Sequence, residues 1–272
     1  MSGPDLALEV GRARPARPPR TRLATDRAAW RALCEAASAP YRQAGRFAWH
    51  FARGKLLGDP VFLALLERGD LSHPESARVL DIGCGQGLLA SLLIAAQSMA
   101  ERGQWPADWA SAAMGTHYVG IELMRRDIAR AQGALGAQPG APHAPHFVCA
   151  DMCSAELPAS DVVVILDVLH YVGHAAQAEL LARVRAAIQP HGRLLLRVGD
   201  AQQRRGYVIS QWVDWLVARA RGHRCAPTWG RSVAQWRALL GSMGFTVSAL
   251  PMSQGTPFAN VLLVCEIGQA GP

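Results

Sequence analysis

The stretch Val79-Leu80-Asp81-Ile82-Gly83-Cys84-Gly85-Gln86-Gly87 joins a short apolar run to a longer helical pattern and decides the fold. Its alternating glycines allow a sharp turn and a close backbone approach to a ligand, because glycine has no Cβ. With a strand over 78–82 and a helix over 87–100, the turn lies where open α/β sheets bind ligands. Dinucleotide-binding turns read GxGxxG, whereas this one has Leu88 where the last glycine would stand. The sequence therefore predicts a ligand-binding turn of another kind.

From residue 78 onward, short β-like runs alternate with longer helical patterns, which favours βαβ units and a mostly parallel sheet. The predicted strands cover 78–82, 118–122, 146–150, 162–166, 193–198, 245–250 and 261–266. The predicted helices between them cover 87–100, 124–133, 175–188, 207–221 and 233–243. The run 162–166 is apolar throughout, as expected for a central strand covered on both faces. We predict an α/β fold whose seven-stranded, mostly parallel sheet ends in an antiparallel strand.

Three further helices are predicted ahead of the sheet, over 25–37, 41–53 and 61–68. They form an N-terminal helical cap over residues 25–74. The Pro/Arg-rich residues 1–24 cannot build a core and are predicted to be a disordered arm. The main domain is predicted over 75–267, with 201–232 as a helical insertion on the substrate side.

Composition and charge exclude several classes of protein. The chain has 272 residues and is 50% hydrophobic, with six cysteines and a formal net charge of +7. Residues 1–60 hold 11 of the basic and 5 of the acidic groups, so the basicity is an N-terminal property. The apolar run 162–169 is far shorter than the ~20 residues of a membrane helix. No secretory signal pattern and no zinc-like cysteine spacing is visible. We expect a cytoplasmic protein with reduced thiols, no membrane span and no metal site.

Acidic residues follow the next three predicted strands at the points where those strands end. Glu122 closes the second, Asp151 the third and Asp167 the fourth. Because the carboxyl ends of parallel strands face one crevice, these side chains should lie around the glycine-rich turn. Asp81, just before the glycines, would repel phosphates but attract an ammonium group. The pattern therefore favours a ligand with a cationic part.

These motifs, in this order, resemble those of class I S-adenosylmethionine (SAM)-dependent methyltransferases. The resemblance rests on Asp81-Ile82-Gly83-Cys84-Gly85-Gln86-Gly87, Gly120-Ile121-Glu122, Ala150-Asp151-Met152 and Leu166-Asp167-Val168-Leu169-His170-Tyr171, and it covers about residues 75–267. It implies a Rossmann-like sheet and SAM as the cofactor.

The resemblance also implies a role for individual residues. The glycine turn with Asp81, including Gly83, Cys84, Gly85, Gln86 and Gly87, would hold the methionine part of SAM. Glu122 would accept hydrogen bonds from the ribose hydroxyls, with Leu123 beside it. Asp151 and Met152 would hold the adenine, and Asp167 would line the floor near the sulfonium. Residues 101–117 lengthen the connection before Glu122 and weaken the spacing argument for that residue.

His170 and Tyr171 follow the fourth motif at the mouth of the predicted crevice. If the acceptor is a hydroxyl, a base whose pKa lies near the working pH helps to remove its proton, and histidine is the natural candidate. We predict His170 as this catalytic base. The alternative, that His170 packs beside the cofactor, stays open.

The acceptor is the least determined part of the prediction. The fourth motif is not the Asn/Asp-Pro-Pro-Tyr/Phe sequence typical of amino-methyltransferases of nucleic-acid bases, so nucleic acid is not the expected partner. The segment 201–232 holds Tyr207, Trp212, Trp215 and Trp229 with arginines around them, which favours a small aromatic or lipid-like acceptor, methylated at oxygen. We predict that Tyr171, Tyr207 and Trp212 contact this acceptor. The chain also resembles bacterial methyltransferases of aryl-lipid and polyketide pathways. A nucleic-acid or protein methyltransferase that uses the basic arm, and a non-catalytic SAM-binding interaction protein, remain alternatives, and the oligomeric state stays open.

Overall fold

A seven-stranded sheet with the order β3-β2-β1-β4-β5-β7-β6 forms the centre of the computed structural model. The structure describes residues 20–72, 77–136, 144–201, 229–254 and 259–267. The strands are β1 (Arg78–Ile82), β2 (His117–Glu122), β3 (His146–Cys149), β4 (Ser160–Leu166), β5 (Ile188–Gly199), β6 (Phe245–Pro251) and β7 (Asn260–Ile267). Strands β1 to β5 pair in parallel, and β7 lies antiparallel between β5 and β6. The predicted fold class is confirmed.

Helices cover both faces of this sheet. They are α1 (Arg20–Ser38), α2 (Arg46–Gly58), α3 (Pro60–Glu67), α4 (Leu88–Glu101), α5 (Arg125–Leu135), α6 (His174–Ala187) and α7 (Val233–Ser242), with short 3-10 turns at Ala39–Arg42 and Leu169–Tyr171. One apolar cluster joins α1 to α5 to the first face, and another joins α6 and α7 to the second. β4 is buried at every position except its last, as its uninterrupted apolar sequence predicts.

The second helix differs most from its prediction. The sequence pattern placed it over 41–53, but α2 runs from Arg46 to Gly58. Tyr41 belongs instead to the 3-10 turn that contains Pro40, and Gly45, with φ of 109°, separates this turn from α2. Gly54 does not end the helix, because Leu56 in the next turn is buried in the core. The helix ends at Gly58, because Pro60 disfavours the helical conformation of Asp59, which is extended.

The N-terminal helices pack directly on the sheet domain. The Ser91 hydroxyl of α4 donates to the carbonyl of Ala37 at 2.6 Å, and the Tyr41 hydroxyl donates to the carbonyl of Gln86 at 2.8 Å. Residues 101–117 cover the same side, where Trp109 is buried against Trp30 of α1. The cap therefore contributes to the core that supports the glycine-rich turn.

Some predicted segments lie partly or wholly outside the described residues. These are residues 1–19 of the arm and 202–228, which include the helix predicted over 207–221. α1 already begins at Arg20, so residues 20–24 of the predicted arm are helical, and no glycine or proline interrupts the sequence from there to Ser38. Strand β5 begins at Ile188 rather than at residue 193. Its pairing with β4 is irregular between Ile188, which lies opposite Ser160, and Arg193, which lies opposite Val162. None of the described helices is long and apolar enough to cross a membrane.

We expect Tyr41→Phe to lower the free energy of unfolding by about 1–3 kcal/mol, because it removes a hydroxyl donor from a buried carbonyl. Urea denaturation of the full chain measures this. Ser242→Ala is the control, since it removes a hydroxyl-to-carbonyl bond of 2.7 Å that is exposed to solvent. It should cost less than about 0.5 kcal/mol. Equal effects of the two variants would contradict the link between cap and turn.

Candidate active site

The glycine-rich turn is held against the ends of neighbouring strands. The backbone N–H groups of Gly83 and Cys84 donate to the carbonyl of Ile121, at 2.8 and 3.2 Å. Gly83 and Gly87 have φ values of 79° and 74°, in the left-handed region that favours glycine. A Cβ at Gly83 would overlap Val168, and one at Gly87 would lie 2.7 Å from Phe147. Packing as well as backbone conformation therefore requires glycine at both positions.

Gly85 differs from the other two glycines because its missing side chain faces open space. It also has a left-handed φ, of 55°, but no described heavy atom lies within 4 Å of a Cβ built there. Its N–H donates to Glu122 Oε2 at 3.1 Å, and the N–H of Met124 donates to Glu122 Oε1 at 2.9 Å. The turn and the end of β2 thus form an open cradle with an oriented carboxylate at its edge. The long 101–117 connection does not displace Glu122 from this place.

Asp81 lies beneath the turn rather than at its surface. It is buried, and the Tyr118 hydroxyl donates to its Oδ2 at 2.6 Å. Burial raises the pKa of Asp81 to about 7; the Tyr118 hydrogen bond opposes this shift, and the nearby Glu122 adds to it. Cys84 is buried in the same cluster, where burial and the Asp81 charge raise the pKa of its thiol. Asp81 therefore changes charge near neutral pH.

Gln86 is the other buried member of the turn. Its side chain is 1% exposed, and its amide nitrogen and oxygen have no hydrogen-bond partner among the described residues. A buried amide without partners costs free energy, and such groups in native proteins often meet a ligand or a water molecule. Only the main-chain carbonyl of Gln86 has a described partner, the Tyr41 hydroxyl.

The residues predicted to hold the adenine line the next strand ends. Leu123 is 62% exposed, directly after Glu122. The exposed Asp151 accepts a hydrogen bond on Oδ1 from the N–H of Cys153 at 2.9 Å, and Met152 beside it is half-buried. The N–H of Ala150 donates to the carbonyl of Glu122 at 3.1 Å and keeps the ends of β2 and β3 together. An exposed apolar side chain and an oriented carboxylate thus border one edge of the cradle.

Asp167 is paired with an arginine that the sequence analysis did not single out. Arg197 Nε donates to Asp167 Oδ1 at 2.9 Å, and Arg197 also binds Oδ2 of the same carboxylate. The other edge of this guanidinium binds Asp59, at the start of α3. Burial alone would raise the pKa of Asp59, but the bonds and charge of Arg197 hold that pKa well below its usual range. The carboxylates of Asp167 and Asp59 therefore share one buried cation.

His170 lies on the 3-10 turn after β4, with its ring 4.1 Å from that of Tyr171. Burial lowers the pKa of His170 below its ordinary value, while the Asp167 charge acts in the opposite direction. Tyr171 is exposed at this turn. The neutral imidazole required of a base is therefore the main form of His170 at neutral pH.

The other sequence expectations have mixed outcomes. Tyr207 and Trp212 lie outside the described residues, so their predicted roles stay predictions. Within the described part of the chain, no group of three or more His, Cys, Asp or Glu could hold a metal ion. The sequence analysis missed the pairing of Asp59 and Arg197 with Asp167. Arg197 had a visible signal, since it is a charged residue inside the apolar strand run of residues 194–198.

We expect Asp81→Asn to change how stability depends on pH. A carboxyl group whose pKa is higher in the folded than in the unfolded protein favours folding at low pH and loses this contribution as the pH rises. The wild-type chain should therefore lose stability relative to the variant between about pH 4 and pH 7. Urea denaturation at pH 4, 5, 6, 7 and 8 measures the difference. Glu101→Gln, which changes an exposed carboxylate, should follow the wild-type profile, and a parallel profile for Asp81→Asn would contradict the shifted pKa.

Comparison with known proteins agrees with this geometry. A family model described as a methyltransferase domain matches residues 48–250. Acetylserotonin O-methyltransferase of Mus musculus is 32% identical over 141 residues, which are 50% of this chain and 33% of the relative. The chain thus spans about a third of the length of the curated relatives it matches.

Solved structures share the fold at low sequence identity. Magnesium protoporphyrin IX methyltransferase of Synechocystis PCC 6803, with bound S-adenosylhomocysteine (SAH), is 18% identical with a TM-score of 0.54, over 82% of this chain and 89% of its own. Human N-acetylserotonin methyltransferase, in complex with SAM, is 15% identical with a TM-score of 0.51, over 81% and 53%. Since the family model matches far more than half of its residues, this chain belongs to the methyltransferase domain family.

Proposed function

We propose that this chain transfers a methyl group from SAM to a hydroxyl oxygen of a small aromatic or lipid-like acceptor. The observation that carries the proposal is the open cradle at Gly85, bordered by Glu122, whose two oxygens are each fixed by a backbone N–H. A carboxylate has about four acceptor sites, so Glu122 keeps capacity for two further donors. The ribose of SAM offers two neighbouring hydroxyls for that capacity.

The residues around the cradle fit the other parts of SAM. The exposed Leu123 offers an apolar face to the adenine ring, and Asp151 lies at the neighbouring strand end. The buried carboxyl group of Asp81 lies beneath the turn, and the methionine part would lie at that turn. Relatives support the choice of cofactor, because similar structures of methyltransferases contain SAM or SAH. Asp167, paired with Arg197, would border the reacting end of the cofactor.

SAM supplies a methyl group activated by a sulfonium, so the protein has mainly to align the acceptor and manage its proton. Alignment of this kind can lower a barrier by several kcal/mol, up to roughly 7–11 in ideal cases. The neutral ring of His170 accepts the proton of the acceptor hydroxyl. The neighbouring carboxylate of Asp167 then favours the imidazolium that forms, in accordance with its raising effect on the His170 pKa. Oxygen as the methylated atom is also supported by the name of the mouse relative, an O-methyltransferase.

Cofactor binding can be tested on the chain alone. By calorimetry, SAM and SAH should bind with micromolar-scale affinity, near −8 kcal/mol, whereas NAD should not bind. Gly85→Val should abolish SAM binding, because its side chain would fill the cradle. Gly103→Val is the matched control: Gly103 has a φ of 66° and open space at its Cβ position, so the backbone strain is similar. It should bind SAM as the wild type does.

The role of Glu122 has its own variant in the same titration. Glu122→Gln should weaken SAM binding about tenfold or more, because one charged acceptor is lost at similar side-chain size. Glu101→Gln, with its exposed carboxylate, should leave the affinity unchanged. Binding of NAD without SAM would overturn the proposed function. Unchanged SAM affinity in Glu122→Gln would assign the ribose to another acid.

The role of His170 is testable through the pH dependence of turnover. SAH formation from SAM is measured with a panel of acceptors: N-acetylserotonin, 2-naphthol, decanoic acid and aniline. With a hydroxyl acceptor, His170→Ala should reduce turnover by roughly 10²–10⁴. SAM affinity should change little. Because the neutral imidazole is the active form, the wild-type rate should rise with pH through a pKa below about 6.5.

The variant should lose this inflection, whereas His146→Gln, at an exposed position in β3, should keep it. Loss of SAM affinity and thermal stability together, with the inflection intact, would mean that His170 packs beside the cofactor instead. Turnover of aniline but of no hydroxyl compound would contradict oxygen as the acceptor atom.

A further inference from the structure

Trp229 combines a firmly anchored backbone with an open side chain. Its ring is 44% exposed, although both of its backbone polar groups are engaged. Its N–H donates to the carbonyl of His170 at 2.8 Å, and its carbonyl accepts from Gln177 Nε2 at 2.8 Å. The residue is thus fixed next to the turn that carries the proposed base. An exposed tryptophan held in this way presents a rigid, flat apolar surface.

Gln177 of α6 fixes this arrangement from below. Its side chain is completely buried, and the two hydrogens of its Nε2 are shared among the carbonyls of Trp229, Leu169 and Val172, the last two each at 3.0 Å. Its Oε1 accepts from Arg231 Nε at 2.8 Å. One amide therefore ties both ends of the His170 turn to the segment containing Trp229. An apolar residue would be sufficient to fill this buried place. The paired amide of Gln177 therefore fixes the position of Trp229 relative to the His170 turn.

Other ring systems surround the same turn. The ring of His174, at the exposed start of α6, lies 5.4 Å from the Trp229 ring in an edge-on arrangement. Tyr171 is 45% exposed on the turn itself. Aromatic rings favour stacked and edge-to-face contacts with other rings, beyond the gain from apolar burial. The surface beside His170 is therefore better suited to a flat π system than to a flexible chain.

We propose that Trp229 forms the stacking face of the acceptor subsite, with Gln177 as its positioning residue, and that the acceptor is a planar aromatic hydroxyl compound. This rests on the proposed function and narrows its acceptor class from aromatic or lipid-like to planar aromatic. Trp229 is then a specificity-determining residue, and His170 lies where the acceptor hydroxyl ends. Gln177 acts through the backbone of Trp229 and through that of Leu169 and Val172 on either side of His170, and it touches neither substrate nor cofactor.

The test compares two acceptors that differ in their π face. Calorimetric titrations with 2-naphthol and with its saturated analogue decahydro-2-naphthol are run with and without saturating SAH. The wild-type chain should bind the planar compound about threefold to tenfold more tightly. Trp229→Phe should keep most of this ratio. Trp229→Leu, which keeps an apolar side chain without a π face, should bring the ratio close to one.

Two controls separate positioning from general stability. Phe47→Leu removes another exposed aromatic ring, on α2, and should leave the ratio unchanged. Gln177→Leu should lower the ratio as Trp229→Leu does, because the ring loses its fixed place. Ser91→Ala also removes a buried side-chain-to-backbone bond, but far along the chain from this turn, and should destabilise the fold without changing the ratio. An unchanged ratio in Gln177→Leu would overturn its positioning role.

The outcomes also separate this inference from the proposed function. If the chain binds SAH, and Trp229→Leu discriminates between the two compounds as well as the wild type does, the proposed subsite is overturned. The proposed methyltransferase function is unaffected by that result. A chain that fails to bind SAM or SAH overturns the proposed function, while the titrations without SAH still report on Trp229. The planar acceptor class is overturned if the wild-type chain binds the saturated compound as tightly as 2-naphthol. It is also overturned if the wild-type chain binds neither compound.

Discussion

The guanidinium of Arg197 holds together three parts of the chain that are far apart in sequence. It is 2% exposed and lies between the carboxylates of Asp59 and Asp167. Removing such a charge from water is expensive, so the arginine is tolerable only because both of its edges are paired. Its partners come from the start of α3 and the end of β4, while Arg197 itself belongs to β5. The buried guanidinium thus connects the start of α3 in the cap to the turn after β4.

The same pairing explains the unusual backbone at Asp167. This residue has a φ of 59°, a left-handed conformation that costs free energy in residues other than glycine. Its N–H donates to the carbonyl of Arg197, so backbone and side chain are both tied to one residue of β5. The strain is thus held by the buried ion pair and directs the chain into the 3-10 turn that carries His170. Asp59 also caps α3 by accepting from the N–H of Val61, which extends the connection into the cap.

The sequence predicted those features that depend on short-range patterns. Apolar runs and glycine spacing placed all seven strands and the glycine-rich turn, because each depends on neighbouring residues only. The pairing of Asp59 with Arg197 could not be predicted from the sequence. The two residues are 138 residues apart, and no local pattern links them. The bounds of α2 were missed for the same reason: burial of Leu56 against other helices outweighs the helix-breaking tendency of Gly54. The roles of the site residues stay predictions, although the structure brings Glu122 and Gly85 together.

The three acids Asp81, Glu122 and Asp167 look equivalent in the sequence, but the structure gives each a different environment. Asp81 is buried with the Tyr118 hydroxyl and, with a pKa of about 7, carries only part of its charge at neutral pH. Asp167 shares the buried guanidinium of Arg197 with Asp59. Glu122 and Asp167 are both half-exposed, but among the contacts described for it Glu122 is held only by backbone N–H groups. Hence Glu122 is the acid whose carboxylate oxygens are oriented by the backbone at the open edge of the cradle, whereas Asp81 is tied to a hydroxyl and Asp167 to a guanidinium.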